Sequence, residues 1–401
     1  MTHRVVQWST GNVGRYAIAG IDAHPELELV GVWVSHPDKA GHDAGELAGL
    51  GRSLGVEATT DADALLALEP DYVVYTAMAD DRSMEALADL QRILRAGVNV
   101  VSSSPVFLQF PDGVVPEEVS GPVRAAATEG GASLWVNGVD PGFANDWLPL
   151  VLTGVCERID EVRCFEILDY STYDNRKVVF DIMCFGGSLG ETPMLLQPGV
   201  LSLAWGSVVR QLAAGLGVEL DAVEESSERL PAPSAFDISC GTIAEGTAAA
   251  PRFEVRGMRG GRPVCVLEHV TRLRPDLGPD WPQPSGQGCY RVQVTGEPNY
   301  MLDLRLVGTD GDHNTAGLKA TAMRLVNAIP AVVAAPPGLL TALDLPLVTG
   351  RGLVSWTSAS GRCRGPRPPR RGPRNRARRR GAGRCPGNAT AAARAGTGTR
   401  R

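Results

Sequence analysis

The chain has 401 residues, 43% hydrophobic and 21% charged, enough for two or three domains with cores of their own. Its net charge of −6 is uneven: residues 355 to 401 hold 14 Arg and no acid, so residues 1 to 354 carry 25 Lys+Arg against 45 Asp+Glu, a charge of −20. Such an acidic body repels a phosphate backbone, which argues against nucleic acid as a partner of the folded part. No run approaches 18 apolar residues, and no charged and then apolar leader precedes the strand-like Arg4-Val5-Val6-Gln7-Trp8, so a cytoplasmic protein with no membrane contact is expected. The eight cysteines form no CxxC pair, so neither a zinc cage nor a disulfide framework is expected, and no metal.

From residue 3 to about 140, short β-branched runs alternate with helical stretches. Val5 to Trp8, Leu29 to Val34, Tyr72 to Thr76, Val98 to Val101 and Leu134 to Val139 predict strands. Val13 to Ile21, Asp63 to Leu68, Arg82 to Ala96 and Val123 to Glu129 predict helices between them. This alternation predicts an α/β domain with a parallel sheet covered on both faces. After Pro141 the pattern changes to long strand candidates at 158 to 168, 252 to 259, 262 to 273, 289 to 296 and 299 to 308, with Gly260-Gly261 as a hairpin turn. Helices are expected at about Leu201 to Leu216 and Thr315 to Ala328, the second ending before Pro330. The resulting division is 1–148, the α/β domain; 149–309, a mostly antiparallel α+β domain; and 310–354, a helical return to the first domain. Residues 355–401 are too poor in apolar residues to fold and are expected to be a disordered Arg-rich tail. Such text, without a lysine, is what a high-GC gene yields out of frame, a reading favoured over a basic arm for nucleic acid.

The chemistry begins at Val5-Val6-Gln7-Trp8-Ser9-Thr10-Gly11-Asn12-Val13-Gly14-Arg15, a strand, a tight turn and a helix start. In the G-x-G-x-x-G pattern the second and third glycines are Gly11 and Gly14, while Ser9 takes the first position. Gly11 lets the backbone approach a pyrophosphate, Gly14 permits close helix packing, and the helix N-terminus offers unpaired N–H groups. Ser9 fits this turn if its φ stays below zero. Ser9, Thr10, Gly11, Asn12, Val13 and Gly14 are therefore the candidate phosphate loop, joined at the ends of the next strands by Thr76, Ala77, Ser102 and Ser103. An NAD site shows an acid about 20 residues later; here the text is Trp33-Val34-Ser35-His36-Pro37-Asp38-Lys39. Ser35 and Lys39 suit a 2′-phosphate, so NADP(H) is expected, with NAD(H) left open by Asp38.

At Val5 to Arg15, at Gly138-Val139-Asp140-Pro141-Gly142-Phe143-Ala144-Asn145-Asp146, and at Asp312-His313-Asn314-Thr315 to Asn327-Ala328-Ile329-Pro330, the chain resembles the dihydrodipicolinate reductase-like superfamily. Within it, the branch it is similar to is the actinobacterial one grouped with native amine dehydrogenases and 2,4-diaminopentanoate dehydrogenase. The resemblance implies an N-terminal Rossmann domain, a C-terminal α+β domain that builds a homodimer, and NAD(P)H-dependent reduction of an imine formed from a ketone or aldehyde and ammonia. It also implies a glutamate just after the fifth strand, where this chain reads Val100-Val101-Ser102-Ser103-Ser104-Pro105-Val106-Phe107 with no carboxylate. The His-His pair of dihydrodipicolinate reductases is absent, which argues against lysine biosynthesis.

Asp140, just after the sixth strand, is the best-placed substitute for that acid, with Glu166 and His269 as alternatives. A helix N-cap before Pro141 is the competing role for Asp140, and an ordinary sheet position the competing role for the other two. Phe143, Asn145, Trp147, Tyr170 and Tyr173 are candidates for the substrate pocket, with the aromatic residues equally suited to a core. A cofactor-binding sensor without turnover, or a reductase of another carbonyl or imine substrate, is the alternative.

Overall fold

The computed structural model describes residues 2–354, so the Arg-rich segment, with Cys363 and Cys385, lies outside the described residues. In chain order the first half runs β1 (His3–Trp8), α1 (Asn12–Ala23), β2 (Leu27–Trp33), α2 (Ala44–Leu47), β3 (Ala58–Thr59), α3 (Ala62–Leu66), β4 (Tyr72–Tyr75), α4 (Ser83–Arg95), β5 (Asn99–Ser102), α5 (Glu117–Gly130) and β6 (Ser133–Val136). The second half runs α6 (Trp147–Thr153), β7 (Arg158–Asp169), α7 (Val200–Gly215), β8 (Ala222–Pro231), β9 (Phe236–Ile238), β10 (Gly241–Ile243), β11 (Ala248–Arg259), β12 (Arg262–Arg272), β13 (Gly288–Glu297), β14 (Tyr300–Leu304), α8 (His313–Ala334) and β15 (Gly338–Leu340).

The first sheet has the order β15-β6-β5-β4-β1-β2-β3, and every pair in it is parallel. Its central strands are apolar on both faces, as burial under helices on each side requires: Tyr72, Val73, Val74 and Tyr75 are all fully buried. The strand order reverses beside β1, so the carboxyl ends of β1 and β4 border the crevice where ligands bind in such sheets. A second sheet has the order β14-β13-β7-β12-β11-β8; only its central pair, β7 with β12, is parallel. One face of it is closed by α7, whose Val208, Val209 and Leu212 pack with Val162, Cys164, Val255 and Leu267. These two sheets realise the expected combination of a parallel Rossmann sheet with a mostly antiparallel α+β part.

Four local expectations need correction. The helix expected to stop before Pro330 runs through it to Ala334. Proline removes one N–H and crowds the preceding turn, but Ile329 and Val332 are fully buried, and this packing outweighs the lost bond. Likewise α5 begins at Glu117 and runs through Pro122, which forgoes one i−4 bond while the fully buried Val123, Ala126 and Ala127 hold the helix in place. The sixth strand ends at Val136 rather than Val139, because Gly138 to Asn145 folds back on itself with Phe143 and Ala144 N–H donating to the carbonyls of Gly138 and Val139. The strand candidate at 299 to 308 closes at Leu304. The short edge strands β3 and β15 and the β9–β10 hairpin, and the ten-residue but largely charged and polar edge strand β8, carry too little apolar text to be foreseen.

Candidate functional site

The β1–α1 turn is built as the glycine spacing requires. Gly14 lies where any Cβ would come within 2.3 Å of the Ser9 carbonyl oxygen, so only glycine lets α1 sit this close to the strand. A Cβ on Gly11, by contrast, would meet only Ser9 Oγ at 3.9 Å, leaving space in front of the first N–H groups of α1. Gly11 is the N-cap, and no side chain caps those donors. Ser9 corrects the sequence expectation: its φ is +80°, in the left-handed region that glycine fills without cost. Its conformation is held by its N–H donating to Trp33 O at 2.9 Å and by Gln7 Nε2 donating to Ser9 O at 2.8 Å. The turn therefore keeps the shape of the glycine loop at some strain.

Of the other loop candidates, Thr10 Oγ1 accepts from Lys39 Nζ at 3.2 Å, which brings the cation of the β2 end to the rim of the loop. Asn12 Nδ2 donates to Asp174 O, and Val13 packs into the core behind α1. Ser35 is exposed just past β2, with no acid at its position. Thr76 is already engaged: its hydroxyl donates to Trp8 O at 3.1 Å and accepts from Gln7 Nε2 at 2.7 Å. The Ala77 carbonyl accepts from Ser104 Oγ, and Ser103 N–H donates to Tyr75 O. Ser102 is fully buried, and its hydroxyl donates to Tyr75 O at 3.2 Å and accepts from Ser104 N–H, so it braces the sheet edge. An open space before unpaired helix N–H groups, with a lysine at its rim, fits a dinucleotide pyrophosphate at Gly11 to Gly14.

Asp140, Glu166 and His269 meet in one buried cluster, their donor atoms within 4.8 Å of one another. Register explains half of it. Glu166 on β7 pairs with His269 on the parallel β12, His269 pairs with Phe253 on β11, and Tyr290 on β13 pairs with Glu166, so one row crosses four strands. Asp140 reaches that row from the loop beyond the carboxyl end of β6, with Oδ1 3.3 Å from His269 Nε2. His269 Nδ1 lies 3.5 Å from Glu166 Oε1, and Tyr170 Oη donates to the same oxygen at 3.1 Å. Asp140 is no helix N-cap: the following helix starts at Trp147, capped by Asp146, and the Asp140 carboxylate instead accepts from Trp205 Nε1 on α7 at 3.0 Å.

Burial sets the electrostatics of this cluster. It pushes the Glu166 carboxyl up to about 7, with the nearby His269 holding it down in part. For His269, burial alone would lower the ring pKa, but Asp140 and Glu166 outweigh it and raise it. Near neutral pH the cluster can thus both give and take a proton.

The pocket candidates separate. Tyr170 and Tyr173 stack at 4.8 Å beside Glu166, whereas Phe143 stacks on Trp147 at 5.8 Å and beneath the Arg324 guanidinium. Asn145 is 1% exposed; its Oδ1 holds Gly142 N–H at 2.8 Å and shapes the turn behind Asp140, while its Nδ2 has no hydrogen-bond partner among the described residues. Trp205, Phe253 and Tyr290 are site residues that the sequence did not single out.

Residues 143–355 match the family described as the 2,4-diaminopentanoate dehydrogenase C-terminal domain. Over 347 residues, 85% of this chain and 96% of the relative, the sequence is 47% identical to an amine dehydrogenase of Streptomyces virginiae. It is 24% identical, over 67% of this chain and 72% of the relative, to 2,4-diaminopentanoate dehydrogenase of Acetoanaerobium sticklandii. The fold matches the solved structure of an amine dehydrogenase from Mycobacterium smegmatis with a TM-score of 0.71 at 24% identity, covering 88% of this chain and 98% of that one.

Proposed function

The chain belongs to the 2,4-diaminopentanoate dehydrogenase and amine dehydrogenase family, and from that premise we propose that it interconverts a carbonyl compound plus ammonium with a primary amine, using a nicotinamide dinucleotide. It is an oxidoreductase acting on CH–NH2 donors. A ketone or aldehyde, ammonium and the reduced cofactor give amine, water and the oxidised cofactor. When bound, the dinucleotide supplies the hydride that the imine carbon receives.

The observation that carries this reading is the buried cluster of Asp140, Glu166 and His269 beyond the carboxyl edge of the parallel sheet. An imine carbon accepts hydride readily only when its nitrogen is protonated, so the site needs a carboxylate against that nitrogen and a group that exchanges protons near neutral pH. Asp140 holds the positive nitrogen. Glu166, with its carboxyl near 7, gives or takes the proton as ammonia displaces water, and His269 links the two. Tyr170 and Tyr173 exclude water on the side of Glu166.

Gly11 to Gly14 would hold the pyrophosphate and Ser35 and Lys39 a 2′-phosphate, so NADP(H) belongs to the proposal, with NAD(H) as the second substrate form. Ser35→Asp is expected to shift preference from NADPH toward NADH by about 1 to 3 kcal/mol through repulsion of the 2′-phosphate. Competitive titration of the two cofactors checks this; an unchanged preference removes Ser35 from the site. The proposal also assigns the dinucleotide to residues 1–148, substrate handling and homodimer formation to 149–309, and the return to 310–354. A cytoplasmic setting is supported by the six described cysteines, all of which are free. No described helix is long and apolar enough to cross a membrane.

The functional reading is tested by supplying primary amines with NADP⁺ or NAD⁺ and following formation of the reduced cofactor. Amine-dependent reduction is the expected result. Failure across linear, branched and aromatic amines would leave the chain a binder of dinucleotides.

A further inference from the structure

Deepening the reading above and resting on it, we propose that Trp205 is a positioning residue for the amine: its indole N–H occupies Asp140 Oδ1 and thereby leaves Oδ2 as the atom that receives the substrate's nitrogen. The two carboxylate oxygens of Asp140 have different surroundings. Oδ1 accepts from Trp205 Nε1 at 3.0 Å and faces His269 Nε2 at 3.3 Å. Oδ2 is buried and has no hydrogen-bond partner among the described residues, although the Asp140 side chain is only 1% exposed. A buried carboxylate oxygen without a donor is costly, and a carboxylate can accept about four hydrogen bonds. The missing donors match an ammonium or protonated imine, whose N–H groups bring both a hydrogen bond and positive charge to the unpartnered oxygen.

Trp205 also fixes the second partner of Asp140. Its ring meets the His269 imidazole edge-on at 4.7 Å, while Phe253 stacks on the imidazole at 4.7 Å and 14°. Trp205 and Phe253 are themselves in contact at 4.8 Å, so the imidazole is held by two aromatic neighbours from α7 and β11. These contacts hold the ring in the orientation that directs Nε2 to Asp140 and Nδ1 to Glu166. One indole thus sets both the free oxygen and the imidazole that faces its partner oxygen.

The test is calorimetric titration of n-butylamine, as the ammonium, into the full chain saturated with NADP⁺, with the melting temperature and the steady-state constants measured alongside. Trp205→Phe keeps an aromatic ring against Phe253 and His269 but removes the N–H. It is expected to melt close to the parent, to bind NADP⁺ as the parent does, and to lose about tenfold or more in n-butylammonium affinity, with kcat for deamination falling too. If Trp205→Phe does not fold, replacement of Trp205 by benzothienylalanine, which keeps the bicyclic shape and lacks the N–H, must show the same loss. Parental amine affinity in the folded N–H-free chain overturns the assignment, and so does a parent that binds no n-butylammonium. A parent that binds the amine and never oxidises it, with the binding lost in Trp205→Phe, retains the positioning role while the proposed activity fails. A parent that turns over at the same rate as both variants retains the activity while the positioning role fails.

Discussion

Asp140→Asn is expected to lower turnover of carbonyl plus ammonium by about 10² or more while the affinity for NADPH stays at the parental level. Asparagine keeps the size of the side chain and an oxygen that can accept from Trp205 Nε1, so the fold around α7 and the β6 loop is preserved. It removes the negative charge that faces His269 and, at the buried Oδ2, the charge proposed to meet a positive nitrogen. In such surroundings an uncompensated change of one charge acts with little screening. Single-turnover kinetics at saturating NADPH, with binding measured separately, separate the chemical loss from any loss of cofactor. A variant as fast as the parent would reduce Asp140 to a structural partner of Trp205 and would move the chemistry to Glu166.

The second large effect is expected at Gly11. Its φ of −72° and ψ of −166° are open to any residue, and a Cβ there meets nothing closer than Ser9 Oγ at 3.9 Å. Gly11→Val should therefore fold and melt within a few degrees of the parent, since replacing an N-cap glycine costs about 1 kcal/mol or less. Its isopropyl group fills the space before the first N–H groups of α1, so NADPH affinity should fall by about 100-fold or more. Gly14 gives the contrast: a side chain there collides with the Ser9 carbonyl, so its replacement damages fold and binding together. Unchanged NADPH affinity in a folded Gly11→Val chain would place the nucleotide elsewhere.

The parallel sheet was legible because its strands are apolar runs divided by amphipathic helices, a pattern that survives without any knowledge of contacts. The glycine loop was legible for the same reason, since its position between the first strand and the first helix is local information. Ser9 was misjudged because its φ is held by its N–H bond to Trp33 O and by the Gln7 amide donating to its carbonyl, contacts that the loop's own text does not reveal. Asp140, Glu166 and His269 could be named one by one as chemically apt residues, but their meeting could not be derived. The Gly260-Gly261 hairpin shows why. Continued from Arg259 opposite Arg262 without a break, it would pair Phe253 with Glu268. A shift between Gly257 and Met258 moves the register by one and places Phe253 opposite His269. That single residue decides which side chains share the face with Glu166. Trp205 went unseen because it is one apolar residue among many on a buried helix, and only the approach of the Asp140 loop gives its N–H a role.

The most direct measurement is the fate of nitrogen in the reductive direction. With NADPH, a ketone or aldehyde and ¹⁵N-ammonium, the full chain is expected to form ¹⁵N-labelled primary amine in equal amount to the NADPH consumed, as mass spectrometry of the product would record. NADPH consumption that yields the alcohol, or that proceeds equally well without ammonium and leaves no label in the product, would contradict the assignment of the Asp140, Glu166 and His269 cluster to amine chemistry.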